Sequence, residues 1–332
     1  MMSDSKPQNI VYLFGAGATH AEITNLFPNW FTDGVKSRKE SLLLKDVSLR
    51  ICREAKLKPW FKKWKQTRDF EDIELFISLI KDNRVESDAT VKGLQKLLEK
   101  DITSKLGEIR QRRFYLHRAF FELHKKTDDK ETLVAIISLN YDDVLDKSYE
   151  RVFKEKPNYS LFSNPAGRRF ILKLHGGFTL KNKKTGRKIL IIPPGTRKNY
   201  LEFPYNFIWG RALESLIECD ILRVVGCSFS ANDIGLIDLI FKANLERKSK
   251  NKLEIQLIND QQSGVEIKER FGFFPGIKTI EEIKERGYQT SLVPRVENDN
   301  PFKSWLLKKI EIMIPNDDDI NKTEFIKKLI NS

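Results

Sequence analysis

Apolar residues in this chain fall into short continuous runs, and the stretches between the runs show helical spacing. The runs predict buried strands at Asn9–Phe14, Thr132–Leu139, Phe170–Leu174, Lys188–Ile192, Ile221–Val225 and Leu253–Ile258. The intervening segments predict helices at residues 17–26, Asp142–Lys154, Pro204–Glu218, Asp233–Glu246 and Ser263–Phe271. Strands that are apolar on both faces and alternate with helices are typical of a covered parallel sheet. We therefore predict an α/β fold with a mostly parallel sheet and helices on both of its faces.

A long stretch after the first predicted strand has almost no strand pattern. It predicts helices at Lys36–Leu57, Asp69–Asp82, Ala89–Lys105 and Glu108–Lys126. We interpret residues 36–129 as a helical insertion module in a Rossmann-like domain formed by residues 1–35 and 130–295. Residues 296–332 are predicted to form a C-terminal tail of two amphipathic helices, which could contact an oligomer or a partner.

Composition excludes several classes of protein. No apolar run reaches the roughly 18 residues that span a bilayer, and the N-terminus lacks the pattern of a signal peptide, so we expect a cytoplasmic protein. The three cysteines, Cys52, Cys219 and Cys227, are far apart and form no CxxC pair. We therefore expect neither a disulfide framework nor a four-thiolate zinc site, and no metal.

The net charge of +13 favours an anionic ligand, such as a nucleic acid or a dinucleotide with its two phosphates. Solvated lysine-rich helix faces account for most of the excess. The basic clusters at Lys181–Lys184 and Arg247–Lys250 are not interleaved with aromatic residues. A surface that binds single-stranded nucleic acid would combine the two. Direct nucleic-acid binding is left open.

The segment Gly15-Ala16-Gly17-Ala18-Thr19, called here the glycine loop, directly follows the first strand. Its two glycines allow a tight turn and a close approach to a ligand, and we expect its amide groups to be free to bind a phosphate. The full GxGxxG fingerprint is absent, because His20 stands at the third glycine position. An ordinary strand-to-helix turn is the alternative.

Later strands also end in polar or glycine residues. Because the carboxyl ends of parallel strands meet at one edge of a sheet, these residues are expected to converge there. They are Asn140, Asp142, His175, Gly226, Ser228, Asp233 and Asn259. Helix capping is the alternative for Asn140, Asp142 and Asp233, turn or loop roles for Ser228 and Asn259, and a hydrogen-bonded core or surface imidazole for His175.

Taken together, these segments resemble the sirtuin-like family, in particular its bacterial antiphage-defence branch. The segments that carry the resemblance are Phe14–Thr19, Asp69–Asp72, Ser138–Asp142, Lys173–Gly176, Ile191–Pro194 and Val225–Asp233. The resemblance spans roughly residues 9–260 and implies an NAD+-consuming enzyme. It also implies that Gly15, Ala16, Gly17, Ala18 and Thr19 wrap the diphosphate, that Asn140 and His175 are catalytic, and that Asp142 holds the carboxamide or ribose. Gly226, Ser228, Asp233 and Asn259 are implied to line the adenosine side.

The chain departs from the family pattern in two ways, and the second bears on which reaction it is expected to catalyse. Thr19 replaces a serine and keeps the hydroxyl, whereas the zinc ribbon of protein-deacylating sirtuins is missing. The expected function is therefore an NAD+ glycohydrolase that acts as an antiphage effector. The alternatives are an NAD-dependent protein deacylase and a non-catalytic nucleotide-sensing subunit. By analogy with the family, we expect a homo-oligomer restrained by a separately encoded partner, such as a HerA-like ATPase or an Argonaute-type protein.

Overall fold

A computed structural model describes most of the predicted α/β core. The residues described are 6–26, 44–54, 88–110, 115–126, 131–159, 170–178, 180, 192, 200–230, 233–247, 252–259, 261–274 and 276–279. The predicted helix Asp69–Asp82, nearly all of the predicted strand Lys188–Ile192 and the C-terminal tail lie outside these ranges.

The described strands form one six-stranded sheet in which every neighbouring pair is parallel. They are β1 (Gln8–Phe14), β2 (Glu131–Ser138), β3 (Phe170–Lys173), β4 (Ile221–Val225), β5 (Glu254–Ile258) and β6 (Ile277–Lys278). The first five confirm the predicted strands. The sixth was not predicted, since two half-buried residues at an edge carry no periodic pattern.

Eight helices lie within the described residues. They are α1 (Ala16–Leu26), α2 (Leu44–Glu54), α3 (Asp88–Arg110), α4 (Tyr115–Lys126), α5 (Val144–Phe153), α6 (Tyr205–Glu218), α7 (Ile234–Glu246) and α8 (Gln261–Arg270). The predicted boundary between the last two helices of the insertion was wrong, because α3 continues through Glu108 to Arg110. A single glycine at position 107 is tolerated inside a long helix, so it does not end this one.

Each face of the sheet is covered by helices. On one face, Val11 and Leu13 of β1 belong to a buried cluster with Trp209 of α6 and Ile240 of α7. On the other face, Ile10, Tyr12 and Phe14 belong to a cluster that includes Phe120 and Phe121 of α4 and Tyr149 of α5. Burying each such side chain contributes about 1.5–3 kcal/mol. The predicted fold, a Rossmann-like parallel sheet with helices on both faces, is confirmed.

The strand order is β3-β2-β1-β4-β5-β6. The chain therefore builds outward from β1 to β3, returns to the other side of β1, and builds outward again to β6. Connections on the two sides of β1 leave the sheet in opposite directions, so a crevice opens beyond the carboxyl ends of β1 and β4. This is the position at which doubly wound sheets bind their ligands.

None of the helices in the described ranges has the length and hydropathy that a membrane span requires.

Candidate functional site

The turns that follow β1 and β4 pack backbone against backbone at the crevice. Gly15 N–H donates to the Val225 carbonyl at 2.9 Å, and Gly17 N–H donates to the Gly226 carbonyl at 2.9 Å. A Cβ at Gly15 would lie 2.5 Å from the Gly226 oxygen, and one at Gly226 would lie 2.2 Å from the Ala18 nitrogen. Gly226 also has a φ of +59°. Glycine is therefore required on both sides of this contact.

The amide groups of the glycine loop are mostly engaged within the protein. Besides the bonds of Gly15 and Gly17, Ala18 N–H donates to the Gly15 carbonyl at 3.1 Å. The expectation that the loop amides are free is therefore wrong for Gly15, Gly17 and Ala18. The first two donate to the end of β4 and the turn after it, and Ala18 donates within the loop. The amide of Ala16 donates to none of the described residues, and the first turn of α1 carries no acidic side chain. Any phosphate here would rely on Ala16 and the positive end of α1.

Asn140, after β2, is tied to the glycine loop by its side chain. Its Nδ2 donates to the Gly15 carbonyl at 3.0 Å and to Thr19 Oγ1 at 3.1 Å, and its backbone N–H donates to Ser138 Oγ at 3.2 Å. Because the Gly15 carbonyl can only accept, these bonds fix which end of the amide is the nitrogen. The side-chain oxygen of Asn140, Oδ1, accepts no bond from the described residues and is therefore available to a ligand.

Asp142 is buried behind Asn140. Its carboxylate accepts a hydrogen bond from the Thr19 hydroxyl at 3.1 Å and one from the Val144 N–H at 3.0 Å. Burial raises the pKa of Asp142, and the Lys173 ammonium and these hydrogen bonds oppose that rise. The bond to Val144 lies at the start of α5, so the capping alternative is partly correct for Asp142.

Lys173 of β3 is a buried cation that the sequence analysis did not assign to the site. Its ammonium donates to the Asp142 carbonyl and to Asp146 Oδ2, the second at 2.8 Å. Asp146 also accepts a 2.6 Å bond from the Tyr159 hydroxyl. The stem of Lys173 packs under Gly177, where a Cβ would lie 3.2 Å from it. Lys173 therefore joins the turn that carries Asn140 to the turn that carries His175.

His175 lies just after β3, with 4% of its surface exposed. Its Nε2 is 3.4 Å from Asp233 Oδ1, and its ring centroid is 6.3 Å from that of Tyr141. The His175 carbonyl accepts a hydrogen bond from the Ile192 N–H at 3.0 Å. The imidazole is thus held beside a carboxylate and an aromatic ring, in the core of the crevice.

The remaining predicted residues flank the end of β4. Asn259 is buried and its Nδ2 donates to the Cys227 carbonyl at 2.8 Å, whereas its Oδ1 is buried without a partner among the described residues. Ser228 is exposed, and its carbonyl accepts a bond from Arg270 at 3.0 Å. Asp233 stands at the N-cap of α7 but its side chain makes no capping bond, so capping does not explain this residue.

A second buried pair lies behind the glycine loop and was not predicted. Glu22 of α1 accepts bonds from the Leu116 and His117 backbone N–H groups at 3.1 and 3.0 Å, and contacts His117 Nδ1 at 2.7 Å. Its carboxylate therefore caps α4 and fixes α4 against α1. His117 also lowers the pKa of Asp142, which brings the pair into the electrostatic surroundings of the site.

Within the described ranges, no group of three or more His, Cys, Asp or Glu side chains could hold a metal ion.

Comparison with known proteins finds solved structures that are similar to this chain, but no matching family. No protein-family model and no curated protein matches the chain. A mutant Sir2 homologue in complex with ADP-ribose is similar over 96% of this chain and 97% of its own, at 14% identity and a TM-score of 0.40. A Sir2 homologue in complex with NAD is similar over 93% of this chain and 91% of its own, at 12% identity and a TM-score of 0.37. At these values the similarity establishes neither family nor function, so the fold rests on the strand order and pairing described above.

Proposed function

We propose that this protein is a sirtuin-like NAD+ glycohydrolase, which cleaves NAD+ to ADP-ribose and nicotinamide. The observation that carries the proposal is the strand-order reversal at β1 and β4, with the side chain of Asn140 bonded to the turn beside it. Doubly wound sheets with this strand order bind dinucleotides across that crevice.

The crevice offers complementary groups for the diphosphate and for a ribose of a dinucleotide. The N-terminus of α1 provides the Ala16 amide and the helix dipole for the diphosphate. The buried Oδ1 of Asn259 is an acceptor for a ribose hydroxyl, beside Gly226 and the exposed Ser228. The net charge of +13 adds a general attraction for an anionic substrate.

The proposed chemistry makes modest demands on the protein. The nicotinamide of NAD+ is a positively charged leaving group and departs as a neutral molecule, so no strong general acid is required. The Asn140 carbonyl can accept a hydrogen bond from the attacking water or from a ribose hydroxyl. The His175 imidazole can take a proton from that water near neutral pH. The group that develops charge is the oxocarbenium-like ribose, which fixed dipoles in a closed crevice stabilise.

Hydrolysis is favoured over protein deacylation by the cysteine content. The chain has three cysteines and no CxxC pair, so it cannot form the four-thiolate zinc module of protein-deacylating sirtuins. That module helps to form the acyl-lysine cleft in those enzymes. Water is therefore proposed as the nucleophile.

The direct test is to incubate the purified protein with NAD+ and quantify nicotinamide and ADP-ribose by chromatography. We expect Asn140→Ala and His175→Ala to abolish product formation, and the exposed Asn206→Ala to retain it. Equal turnover in all four proteins would contradict the assignment. Nicotinamide release that requires an acylated peptide would establish the deacylase instead. ADP-ribose binding without turnover, even with the partner protein present, would indicate a nucleotide-sensing subunit.

We further propose that the activity serves antiphage defence and is restrained by assembly. Uncontrolled NAD+ cleavage would be toxic to the cell that makes the enzyme, so a control is required. The proposed control is homo-oligomerisation together with a separately encoded partner, such as a HerA-like ATPase or an Argonaute-type protein. The helical insertion and the C-terminal tail are the proposed contact regions. Light scattering coupled to size-exclusion chromatography, with and without the product of the adjacent gene, tests this, and a monomer in both conditions would contradict it.

A further inference from the structure

We infer that Asp233 positions the imidazole of His175, rather than contacting the adenosine of the substrate. The inference rests on the proposed function, in which His175 is the base. It differs from the role that the sequence resemblance implies for Asp233, and it rests on where the structure places the carboxylate.

The carboxylate of Asp233 lies within ion-pair distance of the His175 ring, without a hydrogen bond to its Nε2, and makes no capping bond to its own helix. Asp233 Oδ1 lies 3.4 Å from His175 Nε2, and the two side chains are 14% and 6% exposed. At the N-cap of α7 a carboxylate would ordinarily accept a bond from the first turn, yet Asp233 makes no such bond. Its backbone N–H donates to the Ser230 carbonyl at 2.8 Å, which holds the residue in place from the other side.

A chain of contacts fixes α7 relative to the strand that carries His175. A Cβ at Gly235 would lie 2.5 Å from the ring of Tyr200, so the start of α7 packs directly on that ring. The Tyr200 ring lies 4.0 Å from the ring of Trp209, centroid to centroid. Trp209 Nε1 donates to the carbonyl of Leu174 at 3.0 Å, one residue before His175. The Asp233–His175 distance is therefore set by packed side chains, not by one flexible loop.

A carboxylate in this position changes what the imidazole can do. It favours the tautomer with its proton on Nε2, and it stabilises the imidazolium that forms on proton transfer. In the proposed step, the water oxygen bonds to C1′ of the ribose and the C1′–nitrogen bond breaks. The bonding electron pair leaves with nicotinamide, and the water proton passes to His175.

Two other titratable groups near His175 have partners of their own among the described residues. The Tyr141 phenol, from the turn after β2, donates its hydroxyl to the Ile192 carbonyl at 2.9 Å. The Lys173 ammonium, two residues earlier on β3, is bonded to Asp142 and Asp146. Asp233 is a carboxylate at ion-pair distance from the ring, and its removal is expected to lower the pKa of His175.

The test combines enzyme kinetics with a titration that needs no turnover. The chain has four histidines, so their C2–H signals can be followed by NMR and that of His175 assigned with His175→Gln. In Asp233→Asn, we expect the His175 signal and the acidic limb of the kcat profile both to move about one unit lower in pH. We expect kcat to fall about 10- to 100-fold, which is less than the loss of a base, with KM and ADP-ribose affinity within about twofold.

Two further variants control the experiment. Asp233→Glu keeps the charge and should recover most of the His175 pKa. Asp238→Asn removes a carboxylate from the exposed face of the same helix, where it pairs with Lys242, and should leave both readouts unchanged.

The outcomes separate this inference from the proposed function. If wild type releases no nicotinamide in any condition, the proposed function fails, while the NMR titration still tests the Asp233–His175 pair. If Asp233→Asn leaves the His175 titration unchanged, the inference is wrong. It is equally wrong if the variant weakens ADP-ribose binding with an unchanged pH profile, because that is the behaviour of an adenosine contact.

Discussion

The side-chain amide of Asn140 is held by the carbonyl of Gly15, 3.0 Å from its Nδ2, so the turn after β2 is oriented by the turn after β1. Both strands are parallel neighbours in the sheet, and their carboxyl ends lie side by side. This bond uses the donor end of the amide and leaves its acceptor end for the ligand. A residue that looks like a simple helix-start asparagine in the sequence is thus tied to the centre of the crevice.

Asn140→Asp tests whether the orientation of this amide matters. The variant is nearly isosteric, but a carboxylate cannot donate to the Gly15 carbonyl and would face it with negative charge. We expect nicotinamide release to fall by about 10²–10³-fold, comparable to the loss of one oriented dipole in an active site. We also expect the free energy of unfolding to fall by about 1–3 kcal/mol, because the Gly15 carbonyl loses one of its two donors and faces a carboxylate instead. Activity near that of the wild type would show that the donor end is dispensable.

Gly226→Ala tests the close packing between the turns after β1 and β4. Position 226 has a φ of +59°, and a Cβ there would lie 2.2 Å from the Ala18 nitrogen. We expect the turns to separate and ADP-ribose binding, measured by calorimetry, to be lost. Gly210→Ala in α6 is the control, because a Cβ there meets nothing within 4 Å. It should keep binding and raise stability by up to about 1 kcal/mol. Wild-type affinity in Gly226→Ala would show that the crevice does not need this contact.

Lys173→Met tests the buried cation beneath the two turns. The substitution keeps the stem but leaves the Asp146 carboxylate and the Asp142 carbonyl without their shared donor. Removing one partner of a buried ion pair costs about 3–5 kcal/mol, so thermal unfolding should shift strongly downward. Lys147 of α5, which is 39% exposed and pairs with Asp143 at the start of the helix, provides the control. Lys147→Met should leave the unfolding midpoint almost unchanged, and equal effects of the two variants would contradict the assignment.

Asp142→Asn tests the raised pKa of the buried carboxyl. Burial raises the pKa of Asp142 in the folded protein above its ordinary value, so the folded state binds this proton more tightly than the unfolded chain does. The resulting stabilisation is full at pH values below the unfolded pKa, about 3.9, and is lost as pH rises through the folded pKa.

The stability of the wild type relative to Asp142→Asn should therefore be greatest near pH 4 and should decline as pH rises from there. Differential scanning calorimetry of both proteins across this range measures it. A wild-type advantage that grows with pH would mean that Lys173 and the two hydrogen bonds outweigh burial, and that the pKa is lowered.

The sequence was sufficient for the sheet because burial on both faces leaves a local signal. Each of the first five strands is a mostly apolar run, and the alternation with helices indicates the parallel pairing. The strand β6 has two residues and one partner, so nothing local distinguishes it from a loop. The helix predicted over Ala89–Lys105 continues to Arg110 in the structure, because apolar spacing does not mark where one helix ends and the next begins.

The sequence predicts which strand ends form the site, but not which side chains contact each other there. That Asn140 and His175 lie at the same edge of the sheet as the glycine loop follows from the parallel arrangement alone. The pairing of Glu22 with His117, and of Asp233 with His175, joins residues far apart in the chain and has no local pattern. Lys173 did leave a signal, since a lysine inside the apolar run Phe170–Leu174 must find a buried partner. The bonds of the Gly15 and Gly17 amides could not be anticipated, because their acceptors, the carbonyls of Val225 and Gly226, lie more than 200 residues away at the end of β4.

The crevice is formed by the turns after β1, β2 and β4, which lie far apart in the chain and meet only in the folded sheet. The bond from Asn140 to Gly15 spans 125 residues, and the partner of Gly17 lies still farther along the chain. A fragment that ends before β4 lacks one side of this crevice, so the proposed nucleotide would bind the folded sheet and not the unfolded ensemble. Occupancy then adds directly to the folding free energy, by about 2.7 kcal/mol at a ligand concentration of 100 times Kd. An enzyme that consumes such a ligand would also lower its own resistance to unfolding and proteolysis as the cellular supply runs down.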